Sequence, residues 1–106
     1  LIRFSDVALI YAEAAGPTPE SYSLVNFIRQ RAGLGTLNPN LTKEAFRKEV
    51  FKERTFELAF EGDHMYDLRR WNRIISDVPQ AAGLSEDRVT FYPIPQAEIN
   101  LNGSIR

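Results

Sequence analysis

Apolar residues recur along this chain at helical rather than strand spacing. Between Phe4 and Ala15 a 3.6-residue wheel gathers Phe4, Val7, Ala8, Tyr11 and Ala15 on one side and leaves Asp6 and Glu13 opposite, the pattern of an amphipathic helix. The alanines at 8, 12 and 15 admit close approach of a neighbour, whereas Leu9 and Ile10 lie off the main stripe and require further cover. Gly16-Pro17 ends this helix. Thr18 then supplies a capping oxygen and Pro19 occupies the first position of a second helix. A stripe of Leu24, Val25, Ile28 and Ala32 carries that helix to Gly33, which stands where a left-handed C-cap is expected. Two helices joined by so short a turn form an antiparallel hairpin, of the size of one tetratricopeptide unit.

The segment Gly33 to Leu41, with two glycines and Pro39, reads as a loop, and Thr42 is placed to cap a third helix running from Lys43 to about Glu61. Gly62-Asp63 interrupts the pattern, and Asp63 is placed to cap a fourth helix from His64 to Ile75. The last quarter differs: Ser76 to Arg88 is polar and carries Pro79 and Gly83. Val89-Thr90-Phe91-Tyr92 followed by Pro93-Ile94-Pro95 reads as extended, a tail wrapping over the helices. The expected fold is mainly α, a helical bundle with a tetratricopeptide-like hairpin, two further helices and an extended C-terminal tail, in a single domain over residues 1–106.

Composition adds exclusions. With 106 residues, of which 43% are hydrophobic and 25% charged, the chain has the make-up of one globular domain. Its formal charge of -1 lacks the basic excess of proteins that bind nucleic acid. The absence of cysteine removes disulfides, thiolate metal sites and cysteine nucleophiles together. No apolar run reaches the roughly 18 residues of a membrane-spanning helix. The helix that begins with the first residues and the tail without a stop signal give the expectation of a fragment of a longer chain.

The third helix carries the chemistry. Phe46, Val50 and Phe60 define an apolar face on its wheel, and Glu53 and Glu57 project from that same face, flanked by Glu61 and Arg54. Lys48, Lys52 and Thr55 lie opposite. Carboxylates at i, i+4 and i+8 repel, and burial makes each uncompensated charge far costlier, so the face requires cations. Arg54 is the nearest, with Arg69, Arg70 and Arg73 on the next helix and Arg29 and Arg31 on the second.

Three readings compete for this cluster. Paired carboxylates perform acid and base catalysis when a cleft splits their pKa values. Glu61-Gly62-Asp63-His64 has the Glu-x-x-His spacing of di-iron carboxylate bundles, but His64 is the only histidine and Gly62 breaks the turn on which the spacing depends. The third reading, favoured by the ligand count, is a structural ion-pair network of Glu53, Arg54, Glu57, Glu61, Arg69 and Arg70 that fixes helix register. His64 shares its wheel face with Leu68, Trp71 and Ile75, as a core histidine would, and the stripe Tyr66, Arg69, Arg70, Arg73 reads as a salt-bridge face. No Ser/His/Asp set, phosphate loop or zinc spacing occurs.

The same residues carry a family resemblance. Glu53-Arg54-Thr55-Phe56-Glu57-Leu58-Ala59-Phe60-Glu61-Gly62 followed by Asp67-Leu68-Arg69-Arg70-Trp71 resembles the C-terminal signature of the SusD/RagB outer-membrane nutrient-binding lipoproteins. Arg3-Phe4-Ser5-Asp6-Val7, Tyr11-Ala12-Glu13-Ala14, the segment Asn26 to Leu34 with its Arg-x-Arg-Ala-Gly turn, and Tyr92-Pro93-Ile94-Pro95 with Glu98-Ile99 agree in order and spacing. His64, where the family more often has arginine, and Asn102-Gly103, where it tends to Asn-Pro, depart from it.

The resemblance implies the final stretch of a longer lipoprotein on the outer face of a Gram-negative outer membrane. Such a protein captures a glycan or oligosaccharide ligand, or in some members peptides, without catalysis or cofactor, and passes it to a SusC-like TonB-dependent outer-membrane transporter. It implies no nucleic-acid partner and assigns no ligand residue here. Trp71 and Tyr92 are candidates for stacking on a sugar, although Trp71 shares its face with Leu68 and Ile75. The alternative is a tetratricopeptide-like helical protein-protein interaction module.

Overall fold

The structure, a computed structural model, describes residues 2–90 and 93–104. Among these the helices are α1 Phe4–Ala15, α2 Pro19–Arg31, α3 Lys43–Glu57, α4 His64–Arg70, α5 Ile74–Asp77, α6 Glu86–Thr90 and α7 Gln96–Leu101, with a 3-10 turn at Pro79–Ala81. No strand occurs among the described residues, so the fold is mainly α. The chain divides into two compact units, Leu1–His64 and Met65–Arg106.

Local chemistry sets the helix starts and stops in the first unit. The Thr18 hydroxyl accepts a hydrogen bond from the Ser21 amide at 3.2 Å with Pro19 in the first helical position, and Thr42 accepts from the Ala45 amide at 3.2 Å. At the end of α2, Leu34 donates to the Arg29 carbonyl and Gly33 to that of Gln30. This Schellman closure puts Gly33 at φ +76, a conformation open to glycine without Cβ strain.

The hairpin packs α1 and α2 against α3. Its core joins Ala8, Leu9, Ala12, Val25, Ile28, Phe46 and Val50, closed by Leu37 from the connecting loop. That loop is fastened to α2: the Leu37 amide donates to Asn26 Oδ1 at 2.8 Å, the Leu41 amide to the Tyr22 hydroxyl at 3.2 Å, and Arg29 Nε donates to the Gly35 carbonyl at 2.7 Å. The Tyr22 ring lies against Phe46, centroid to centroid 4.8 Å.

The buried face of α1 is rotated from the one its large residues mark. Ser5, Ala8, Leu9 and Ala12 face inward, while Phe4, Val7 and Tyr11 of the expected stripe are exposed. Small side chains at i, i+3 and i+7 let the backbones of α2 and α3 come close, which large ones there would prevent. On α2 the inward residues are Ser21, Val25 and Ile28, and Ala32 is exposed.

Helix α3 ends four residues earlier than expected. After Glu57 the chain tightens into bonds from Ala59 to Phe56 and Glu61 to Leu58, with Phe60 at φ 65 and Gly62 at φ +91. Phe60 therefore leaves the apolar face assigned to it and stands fully exposed, and the inward positions are Phe46, Val50, Phe51, Glu53 and Arg54.

In the second unit the expected fourth helix divides. Asn72 takes φ 52, Arg73 donates to the Leu68 carbonyl and Asn72 to that of Arg69, so α4 closes as α2 does, with asparagine in the left-handed position. The break removes the shared face of His64, Leu68, Trp71 and Ile75: His64 is exposed, Trp71 and Ile75 are half-buried, and Leu68 is buried. Among the described residues of this unit, Leu68, Ile74, Ala81 and Val89 are the buried apolar ones. Val89 and Thr90 belong to a helical turn rather than to an extended tail, and Phe91 and Tyr92 lie outside the described residues.

Candidate functional site

The charged cluster forms where the last turns of α3 meet the start of α1 and the end of α2. A glutamate near a helix C-terminus faces the negative end of the helix dipole, so Glu53 and Glu57 need cations from neighbouring elements. Glu53, buried, accepts from Arg29 Nη1 at 2.9 Å. Glu57 accepts from Arg3 Nη2 at 2.7 Å and from Arg31, and Glu61 from the other nitrogen of the same Arg3. Arg54, buried on α3, reverses the polarity by donating to Asp6 of α1 at 2.9 Å. Arg47 reaches Glu13 at 3.5 Å.

Burial works to raise the Glu57 carboxyl, but hydrogen bonding from Ser5 and from Arg31, with the charges of Arg31 and Arg3, outweighs it. The group is held below its ordinary value and stays ionised. An anion so neutralised is a poor proton shuttle, and its geometry is that of a strut between helices.

Of the residues singled out in the sequence, Glu53, Arg54, Glu57 and Glu61 lie in this one cluster within the first unit. Their partners there are Arg3, Arg29, Arg31 and Asp6. Arg69 and Arg70 belong to the second unit, where Arg70 pairs with Asp67 at 2.9 Å, as Arg73 does with Asp77 at 2.7 Å. Sequence reasoning missed Arg3 and Asp6. The available signal was Arg3 immediately before α1 with Asp6 in its first turn, charges placed to face a neighbouring helix. Glu61 and His64 do not share a helix, so their Glu-x-x-His spacing is not a helical one. Among the described residues no group of three or more His, Asp or Glu converges in a metal-binding arrangement.

A second feature lies on the hairpin's outer side. Tyr11, Glu20, Ser23 and Leu24 line an open hollow of about 420 Å³. The Tyr11 hydroxyl donates to Glu20 Oε2 at 2.7 Å, and this bond and the carboxylate's charge push the phenol pKa up. Phe4 and Phe27 meet edge to face at 6.3 Å farther along the same pair of helices.

The SusD family model matches residues 1–106. The chain belongs to the SusD family. It is 35% identical to SusD-like protein P2 of Formosa agariphila over an alignment covering 98% of this chain and 24% of that protein. SusD-like protein P38 of the same organism is 32% identical, over 86% of this chain and 20% of that protein. Among solved structures, a SusD homolog from Bacteroides thetaiotaomicron VPI-5482 matches all of the chain with a TM-score of 0.79 at 30% identity, over 26% of its own length. This SusD-family chain therefore spans about a quarter of the length of these relatives. No helix among the described residues is long and apolar enough to cross a membrane.

Proposed function

We propose that this chain is the C-terminal portion of a longer, non-catalytic SusD-like lipoprotein that captures glycans or oligosaccharides at the outer face of the outer membrane. The captured ligand passes to a SusC-like TonB-dependent transporter. The observation that carries this reading is the family match over residues 1–106 together with a structural match to all of the chain. The chain's own chemistry agrees with it. The concentrated acid and base groups are neutralised in pairs between helices, so they hold the fold rather than move protons. The ligand-contacting residues then belong to other parts of the longer protein.

Calorimetry of the longer protein against a panel of oligosaccharides tests the reading, with affinity purification of the transporter as its second arm. Binding of at least one glycan without hydrolysis, and recovery of the transporter, are the expected results. Silence across the panel together with tight capture of an unrelated protein would move the assignment to a helical interaction module.

A further inference from the structure

The end of α7 brings together the two halves of a covalent step that needs no catalyst. Of the asparagines in the chain only Asn102 precedes a glycine; the others precede Phe27, Pro39, Leu41, Arg73 and Leu101. Asn102 caps α7, its own amide tied back to the Glu98 carbonyl at 2.9 Å, and it leaves the helix at φ -114, ψ 93. Asn102, Gly103 and Ser104 are all exposed. The Ser104 amide donates to Asn102 Oδ1 at 3.1 Å, which folds the side chain over the peptide that follows it. This donor keeps the side-chain carbonyl turned toward the Gly103 peptide and withdraws electron density from the carbon that a nucleophile attacks.

Glycine supplies the remaining freedom. Ring closure between the side chain and the next nitrogen turns the peptide plane between residues 102 and 103, and a residue without Cβ lets that plane turn at little steric cost. Asn100 is the internal contrast. It lies within α7, its Oδ1 accepts from Gln96 Nε2 at 3.0 Å, and its successor Leu101 carries a full side chain.

We propose that Asn102 is a site of spontaneous deamidation in the folded protein. The Gly103 nitrogen gives its proton to hydroxide and attacks Asn102 Cγ. The N–Cγ bond forms, the Cγ–Nδ2 bond breaks, and Nδ2 leaves as ammonia with a proton from water, which regenerates the hydroxide. The product is a cyclic succinimide. Water opens it at either carbonyl, giving a normal aspartyl link or an isoaspartyl one in which the backbone runs through the former side chain. One water is consumed, one ammonia is released, and nothing is oxidised or reduced. Both products place a carboxylate at position 102, at the negative end of α7 and one turn from Glu98, where like charges repel. The isoaspartyl form also lengthens the backbone by one methylene. The last turn of α7 is thus loosened by the age of the molecule, whatever the longer protein binds.

The test ages the longer protein in its folded state and follows the tryptic fragment 89–106, which contains both Asn100 and Asn102, by tandem mass spectrometry. Conversion adds about 1 Da and yields two chromatographically distinct forms. Asn102 converts at least about tenfold faster than Asn100, faster still as pH rises, and Gly103→Ala slows it by about tenfold. Gly103→Pro, which removes the attacking N–H, abolishes the isoaspartyl form. Equal rates at the two asparagines overturn the proposal, as does an aspartyl product alone, the mark of direct hydrolysis. A folded rate far below that of the same chain in urea also overturns it, because the fold would then be shielding the step.

Discussion

Arg54 Nη1 lies 2.9 Å from Asp6 Oδ1, and the arginine is almost wholly enclosed while the aspartate keeps some contact with water. The pair joins α3 to the first turn of α1 across 48 residues of sequence. An enclosed guanidinium depends on its anion far more than a surface one does. Asp6→Ala should therefore destabilise by about 2–4 kcal/mol, below the upper range for fully buried pairs because Asp6 is partly solvated. A double-mutant cycle with Arg54→Met, read by urea unfolding, should return a coupling of about 1–3 kcal/mol. Additive single effects would show that the two side chains do not support each other.

Glu57 gives the fold an acid-sensitive element. Its folded pKa lies below the ordinary 4.5, so at acid pH the unfolded chain binds the proton more readily than the folded one. The stabilisation is fully present above that ordinary value and is lost as pH falls through the depressed folded value. Thermal midpoints of wild type and Glu57→Gln, measured from neutral pH downward, should differ most near neutrality and converge in acid. A constant offset at every pH would contradict the assignment.

The two phenylalanines assigned to one face in the sequence should behave as opposites. Phe46 is fully buried in the core beside Val50, and Phe46→Ala should cost about 3–5 kcal/mol. Phe60 is fully exposed, and Phe60→Ala should change the stability of this chain by less than about 0.5 kcal/mol. Denaturant midpoints of the two variants decide the matter.

Thr18 and Thr42 each satisfy an amide that their helix leaves unbonded, so either threonine replaced by alanine should lose about 1 kcal/mol. Serine, which keeps the hydroxyl, should recover most of the loss. Equal midpoints for the alanine and serine variants would mean that water serves those amides as well.

What the sequence reveals follows the range of the interaction. The caps at Thr18 and Thr42 and the left-handed Gly33 were legible because each depends on residues within five positions. The inward face of α1 was not, since Phe4, Val7 and Tyr11 outweigh Ser5 and Ala12 on any hydrophobic wheel. Close backbone approach favours the small residues, and that requirement comes from α2 and α3. The carboxylates of α3 were legible as groups needing cations, whereas Arg3 as their partner, 54 and 58 residues away, was fixed only by tertiary geometry. The end of α3 and the break at Asn72 turn on left-handed residues other than glycine, which sequence preference ranks low.

The ion pairs of α3 also bind the first unit into one cooperative piece. Arg3 and Asp6 lie some fifty residues before the groups that neutralise them, Arg54, Glu57 and Glu61. Without α3 the α1–α2 hairpin would carry unmatched charge at one end and an open core at Ala8, Leu9 and Val25. Docking of α3 completes both at once, so the hairpin and α3 should open and close together.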